Sequence, residues 1–190
     1  MGIKIPVEVS ARHCHLSQKD LEKLFGVECQ LGELKELSQP GLFACKETIT
    51  IKNNSCVLKN VRIIGPERQE TQIEISKTDA IFLGIEAPLR ISGDIDGSPG
   101  VTLIGPEGEV VLEKGVIIAK RHIHCSPEEA KKLLLKDGDV VSVKVEGERG
   151  VVFNNVKIRT GKNYCLRLHL DTDEGNAAGI NKEIEGELII

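Results

Sequence analysis

Tryptophan is absent from this 190-residue chain, and four phenylalanines and one tyrosine are its only aromatic side chains. No run of Lys and Arg interleaves with those few rings, and the formal charge is -4. Nucleic acid is therefore not an expected partner, since it requires a basic footprint and stacking platforms. No apolar stretch approaches the roughly 20 residues that span a bilayer. The N-terminal M-G-I-K has no signal-peptide core, and Pro6 stands where a myristoylation motif needs Ser or Thr. A membrane is likewise not an expected partner, and the chain is expected to be cytoplasmic. The six cysteines form no C-x-x-C pair and read as reduced, mostly buried thiols. P-loop, G-x-G-x-x-G and G-x-S-x-G signatures are also missing.

What is present is enough for a core: 40% of residues are apolar and 28% charged, at a length that suits one domain or two small ones. The informative stretch is K-R-H-I-H-C-S-P-E-E at 120–129. Val116 to Ala119 reads as a buried strand, and residues two apart on extended chain point the same way, so His122 and His124 present both imidazoles on one side. Ser126 as N-cap, Pro127 at the first helical position and Glu129 three residues after the cap predict a helix from about Ser126. Five histidines would give about 0.1 H-x-H pairs by chance; the chain has two. His13 and His15 form the other, again after a β-rich alternation (4–10) and again before a cap, Ser17, with Leu21, Leu24 and Phe25 at helical spacing and Gly26 as the stop.

The repetition extends further. Asn60-Val61-Arg62-Ile63 matches Asn155-Val156-Lys157-Ile158 at an offset of 95, which also carries Gly84-Ile85 onto Gly179-Ile180 and Glu74 onto His169. The H-x-H pairs repeat at an offset of 109, so the first copy holds about 14 more residues, which fit the Gly- and Pro-bearing loop expected at 31–42. Strand patterns are expected at 43–51, 56–64, 101–104, 110–112 and 140–145, with short acidic helices near Asp79 and Glu174. The glycine-rich stretch 90–100 reads as a linker in preference to an anion-binding loop. The fold class that follows is mainly β with short helices: a tandem duplication forming two small β-barrel domains, 1–92 and 93–190, with strand exchange between barrels allowed.

All five histidines occupy repeated positions. Each copy then offers H-x-H and one later ligand: His13, His15 and Glu74 in the first, His122, His124 and His169 in the second. Three protein ligands with an open position is the pattern of catalytic zinc, whereas structural zinc is closed by four. Two metal centres per chain are expected. Cys14 and Cys125, each adjoining a histidine, should face the opposite side of their strands and pack. Arg12 and Arg121 precede the two pairs without an assigned role. Arg68 sits in a loop six residues before Glu74, where a guanidinium could reach an oxyanion bound near the metal, although taken alone it reads as a solvent-exposed loop arginine. Charge counting gives a divalent ion on three neutral imidazoles +2 and one on two imidazoles and a carboxylate +1, which allots phosphate to the His122, His124, His169 centre.

Five segments, V-S-A-R-H-C-H-L-S at 9–17, G-P-E-R-Q-E-T-Q-I-E at 65–74, A-P-x-R-x-S-G-D at 87–94, K-R-H-I-H-C-S-P-E-E-A at 120–130 and L-H-L-D-T-D-E-G-N-A-A at 168–178, together resemble the PduL-type phosphate acyltransferases. These are phosphotransacylases, also called phosphate propanoyltransferases. The resemblance spans essentially the whole chain. It implies two β-barrel domains with a dimetal, zinc-type site and interconversion of acyl-CoA plus phosphate with acyl phosphate plus CoA. It further implies His13, His15 and Glu74 on one zinc, His122, His124 and His169 on the other, and Arg68 and Ser92 as phosphate-side groups. Acyl-CoA, CoA and phosphate are the implied partners, and a homo-oligomer is left open. Members packaged in bacterial microcompartments carry an N-terminal amphipathic extension, whereas the first matching motif here already starts at Val9, so the cytoplasm is the expected location and a microcompartment is left open as the alternative. A metal-dependent hydrolase using zinc-bound water and a non-catalytic zinc-binding module are the competing readings.

Overall fold

The computed structural model describes residues 2–190. They form two units, Arg12–Ala119 and a second that joins the N-terminal residues up to Ala11 with Lys120–Ile190. The chain therefore does not divide after residue 92 as the repeat boundary suggested. The reason is β1 (Ile3–Ser10), which inserts between strands from the far end of the chain: Val7 lies opposite Leu168 in a parallel pair and Ile5 opposite Gly186 in an antiparallel one.

In the Arg12–Ala119 unit, β2 (His13–His15), α1 (Gln18–Phe25), β3 (Glu33–Glu36), β4 (Phe43–Asn53), β5 (Cys56–Gly65) and β6 (Gln72–Glu74) are followed by α2 (Lys77–Leu83), β7 (Leu89–Arg90), β8 (Thr102–Ile104), β9 (Glu109–Val111) and β10 (Val116–Ala119). The strands run β7-β10-β6-β2-β5-β4-β8-β9, with β3 on β4, as a half-barrel. β3 corrects the expected loop at 31–42. The stretch 90–100 is no linker either: it lies inside this unit, where the buried Ser98 hydroxyl donates to the Ile95 carbonyl and accepts from the Gly115 N–H. The core collects Leu16, Leu21, Leu24, Ile49, Ile51, Ile63, Ile73 and Leu103, all at most 2% exposed.

In the second unit β1 is joined by β11 (His122–Cys125), α3 (Pro127–Lys132), β12 (Val140–Val145), β13 (Val151–Thr160), β14 (Arg167–Asp171), α4 (Thr172–Ala177) and β15 (Ile184–Ile189). The sheet closes as β1-β14-β11-β13-β12-β15 around Ile5, Ile123, Val143, Val145, Val156, Ile158 and Leu168. The mainly β, two-barrel class read from sequence is thus the observed one, with one barrel closed and the other half-closed. No helix among the described residues is long and apolar enough to cross a membrane.

The duplication is visible residue by residue. Asn60 and Asn155 both take left-handed φ values, 56° and 58°, at register shifts in the β4–β5 and β12–β13 hairpins. Asn tolerates that region better than other side-chain-bearing residues, which is why the same residue marks both bulges. His13 lies opposite Arg62 in a parallel pair and His122 opposite Lys157 in its counterpart. The helix starts also repeat. Ser17 accepts from the Asp20 N–H, and Ser126 forms a capping box with Glu129. After the second ligand segment, Ser76 forms one with Asp79 and Asp171 with Glu174.

Candidate metal centre

β2 is only three residues long, and its pleat decides the site. His13 and His15 fall on one side, and Cys14 points into the core, fully buried. Burial, helped by neighbouring Cys45, pushes the Cys14 thiol well above its usual range, so it is packing and not a thiolate ligand. β6 runs antiparallel to β2 with Glu74 opposite His13. The His13 Nε2 and Glu74 Oε2 atoms are 3.6 Å apart, and the His13 and His15 rings stand edge to face at 5.2 Å. Among the described residues, His13, His15 and Glu74 are the trio of His, Cys, Asp or Glu side chains whose ligand atoms all lie within 4.8 Å of one another. Tetrahedral zinc with bonds of about 2.0–2.2 Å holds its ligands about 3.3–3.6 Å apart, so the His13 to Glu74 separation fits.

Electrostatics prepare the trio for a cation. The His15 Nδ1–H donates to the Ile64 carbonyl at 3.1 Å, which fixes the tautomer and leaves Nε2 to bind. Burial, then the charges of His13 and Arg68, bring the His15 ring down to about 3 against the opposing pull of Glu74 and Ile64, so it is neutral near pH 7. Burial works to raise the Glu74 carboxyl. The charge and hydrogen bond of His13, with His15 and a hydrogen bond from Ser92, outweigh it and hold the group far below the ordinary carboxylate range. A neutral imidazole and an ionised carboxylate are the forms a divalent metal takes.

Arg68 is brought to this trio by backbone. Its N–H donates to the Leu16 carbonyl at 2.9 Å, and it pairs in parallel with Ser17 directly after the H-x-H strand. The helix start clamps the same loop: the Ser17 N–H donates to Thr71 Oγ1 and the Thr71 hydroxyl to Asp20 Oδ2, at 2.9 and 2.6 Å. From there Arg68 Nη1 donates to Ser92 Oγ at 3.3 Å, and Ser92 donates in turn to Glu74. A cavity of about 270 Å³ is lined by Arg68, Gln69, Glu70, Gln72, Gly93 and Ile95. The charge counting that allotted phosphate to the three-histidine trio left this guanidinium out.

The second trio repeats the register in its own barrel. β11 lies antiparallel to β14 with His122 opposite His169, as His13 lies opposite Glu74. The three rings are mutually adjacent, with centroids 4.5 Å apart for His122 and His124, 5.2 Å for His122 and His169 and 4.9 Å for His124 and His169. His122 Nδ1–H donates to the Lys120 carbonyl at 2.8 Å, again leaving Nε2. Cys125 is turned into the core, its thiol pushed up to about 11 by burial and by Glu129 and Asp137. Of the six cysteines, Cys45 is also buried, Cys29 and Cys56 are half-buried and Cys165 is exposed.

Three features escaped sequence reasoning. Arg12 grips Asp79 with Nε and Nη2, each 2.9 Å from a carboxylate oxygen, and Arg121 Nε meets Glu174 Oε1 at 2.7 Å. Both acids are the third helical residue of the helix that starts just after the third ligand. Tyr164 lays its ring 4.0 Å from that of His124. Gln72, 2% exposed, reaches Glu74, Ser92 and Gly93. The i, i+2 spacing of Gln72 and Glu74 was the one signal that could have pointed to it.

A family model described as phosphate propanoyltransferase matches residues 6–181. A phosphate propanoyltransferase of Thermotoga maritima is 53% identical over 178 residues, 93% of this chain and 85% of that protein. One of Salmonella typhimurium is 51% identical over 176 residues, covering 92% and 83% of the two chains, and one of Enterococcus faecalis is 46% identical over 183 residues, covering 96% and 87%.

Proposed function

The chain belongs to the phosphate propanoyltransferase family and is an acyltransferase, and from that premise we propose that it interconverts a short-chain acyl-CoA, propanoyl-CoA or acetyl-CoA, and phosphate with acyl phosphate and CoA by direct, zinc-assisted attack of phosphate on the thioester. The observation that carries this reading is the run of contacts from Arg68 through Ser92 to Glu74, which supports an oxyanion held by a guanidinium beside a cation site. Zinc held by His13, His15 and Glu74, with a second at His122, His124 and His169, would supply fixed positive charge and a centre that accepts sulfur well.

The chain's own groups do the rest. The Arg68 fork strips phosphate of part of its water shell and aims it, supplying proximity and charge neutralisation. A phosphate oxygen bonds to the carbonyl carbon, the C–S bond breaks, and sulfur leaves with its electron pair. The thiolate then takes up the proton released by the phosphate. An acyl-enzyme has little support: the thiols of Cys14, Cys45 and Cys125 are raised by burial, and Glu74, held far below the carboxylate range, is a poor base for the Ser92 hydroxyl.

Free thiol released from propanoyl-CoA, followed with and without phosphate and before and after chelation, tests this. Release is expected to need phosphate and to stop on chelation. Release at the same rate without phosphate would establish the hydrolase reading, and full activity after chelation would remove zinc.

A further inference from the structure

Gln72 lies on β6 two residues before Glu74, so the pleat puts both side chains on one face. Its amide nitrogen donates to Glu74 Oε1 at 2.7 Å and to Ser92 Oγ at 2.9 Å, while its carbonyl accepts from the Gly93 N–H at 2.7 Å. This orientation is the one the partners allow. With the amide reversed, its oxygen would face the Glu74 carboxylate and its NH2 would face the Gly93 N–H, setting acceptor against acceptor and donor against donor. With Oε1 engaged, Glu74 turns Oε2 to His13.

We propose that Gln72 is a positioning residue: it fixes Glu74 so that one carboxylate oxygen is left for the cation, and it holds Ser92 against Arg68, so that one side chain couples the metal ligand to the phosphate-side groups. The inference deepens the reading of the site given above and rests on it. A neutral amide suits the task, because it donates to a carboxylate without adding a positive charge beside a metal. The repeat is informative here. The residue that corresponds to Gln72 in the second copy is Arg167, two before the neutral ligand His169, and it turns to Glu8 with Nε 3.6 Å from Oε2. The barrel itself therefore does not demand glutamine at this position; the carboxylate ligand does.

Gln72→Met keeps the length and apolar stem and removes all three hydrogen bonds. Groups that hydrogen-bond to metal ligands are typically worth about 10- to 100-fold in metal affinity, so zinc affinity, read by competition with a chromophoric chelator on the full-length protein, is expected to fall by about that factor. The KM for phosphate is expected to rise about tenfold or more, with the KM for CoA within about twofold. Ser98→Ala is the control for mere loosening of the same loop, because Ser98 ties Ile95 to Gly115 without touching Glu74. It should lower the melting temperature and leave zinc affinity unchanged. If Gln72→Met does not fold, Gln72→Asn, which draws the amide back by one methylene, is expected to move zinc affinity and phosphate KM the same way by a smaller factor. Unchanged zinc affinity and phosphate KM in a folded Gln72 variant, or an equal loss of affinity in Ser98→Ala, would overturn the proposal. Chelator competition reads the Gln72 coupling even if wild-type thiol release proves independent of phosphate, so the two readings fail separately.

Discussion

Arg68 is half-buried, and its guanidinium makes a 3.3 Å contact to Ser92. That contact restrains a long side chain, so in the proposed reaction the fork would meet an oxyanion with part of its ordering entropy already spent. A charge-assisted bond of this kind is worth about 1.5–3 kcal/mol, or about 10- to 150-fold. Arg68→Ala should lower kcat/KM for phosphate by that factor while the KM for CoA changes little, and Arg68→Lys should recover only part, since an ammonium lacks the fork. Steady-state titrations of the two substrates check it: equal defects for phosphate and CoA would make Arg68 a structural residue. At this scale the histidines were legible because both partners of each pair sit within three residues. Gln72 was not, because its partners at Ser92 and Gly93 lie twenty residues on, across a turn whose path no local pattern discloses.

At the scale of elements, each proposed ligand set is carried by two short strands that could slide against one another. In each unit the arginine just before the H-x-H pair grips the capping acid of the helix after the third ligand, Arg12 on Asp79 and Arg121 on Glu174. The brace ties the start of β2 to the start of α2, and the start of β11 to the start of α4. Asp79 is 6% exposed at its side chain and Arg12 42%, so the pair lies between the surface and buried cases. Arg12→Ala should cost about 1–3 kcal/mol and Arg121→Ala a similar amount, the latter also losing the 5.4 Å stacking of Arg121 on Phe153. Denaturant melts of both variants measure this, and a loss under 0.5 kcal/mol in each would reduce the braces to surface ion pairs. The helix starts were legible in sequence because a cap and its partner are three residues apart. β3 was read as loop because all four of its residues, Glu33 to Glu36, are exposed on an edge and leave no alternation to find.

At the scale of the molecule, the offset of 95 carried the two-barrel architecture through to the structure, but it could not show where the chain divides. β1 finds its partners about 160 residues away, Val7 opposite Leu168, and pairing at that separation leaves no mark on local sequence. Duplication followed by divergence put a carboxylate at 74 and an imidazole at 169, in units with separate cores. Separate cores imply that either trio can be emptied without unfolding the other. Glu74→Ala is therefore expected to lower bound zinc from about two to about one per chain, His169→Ala to do the same, and the double variant to hold none. Because Ser92 bonds Glu74 and Arg68 in turn bonds Ser92, Glu74→Ala should raise the phosphate KM more than His169→Ala does, the reverse of what charge counting on the ligands alone implies. Metal content by elemental analysis, taken with phosphate and CoA titrations on the same preparations, decides it. Full zinc retention in Glu74→Ala would remove Glu74 from the site, and loss of both ions in either single variant would mean that the two trios form one cooperative centre rather than two independent ones.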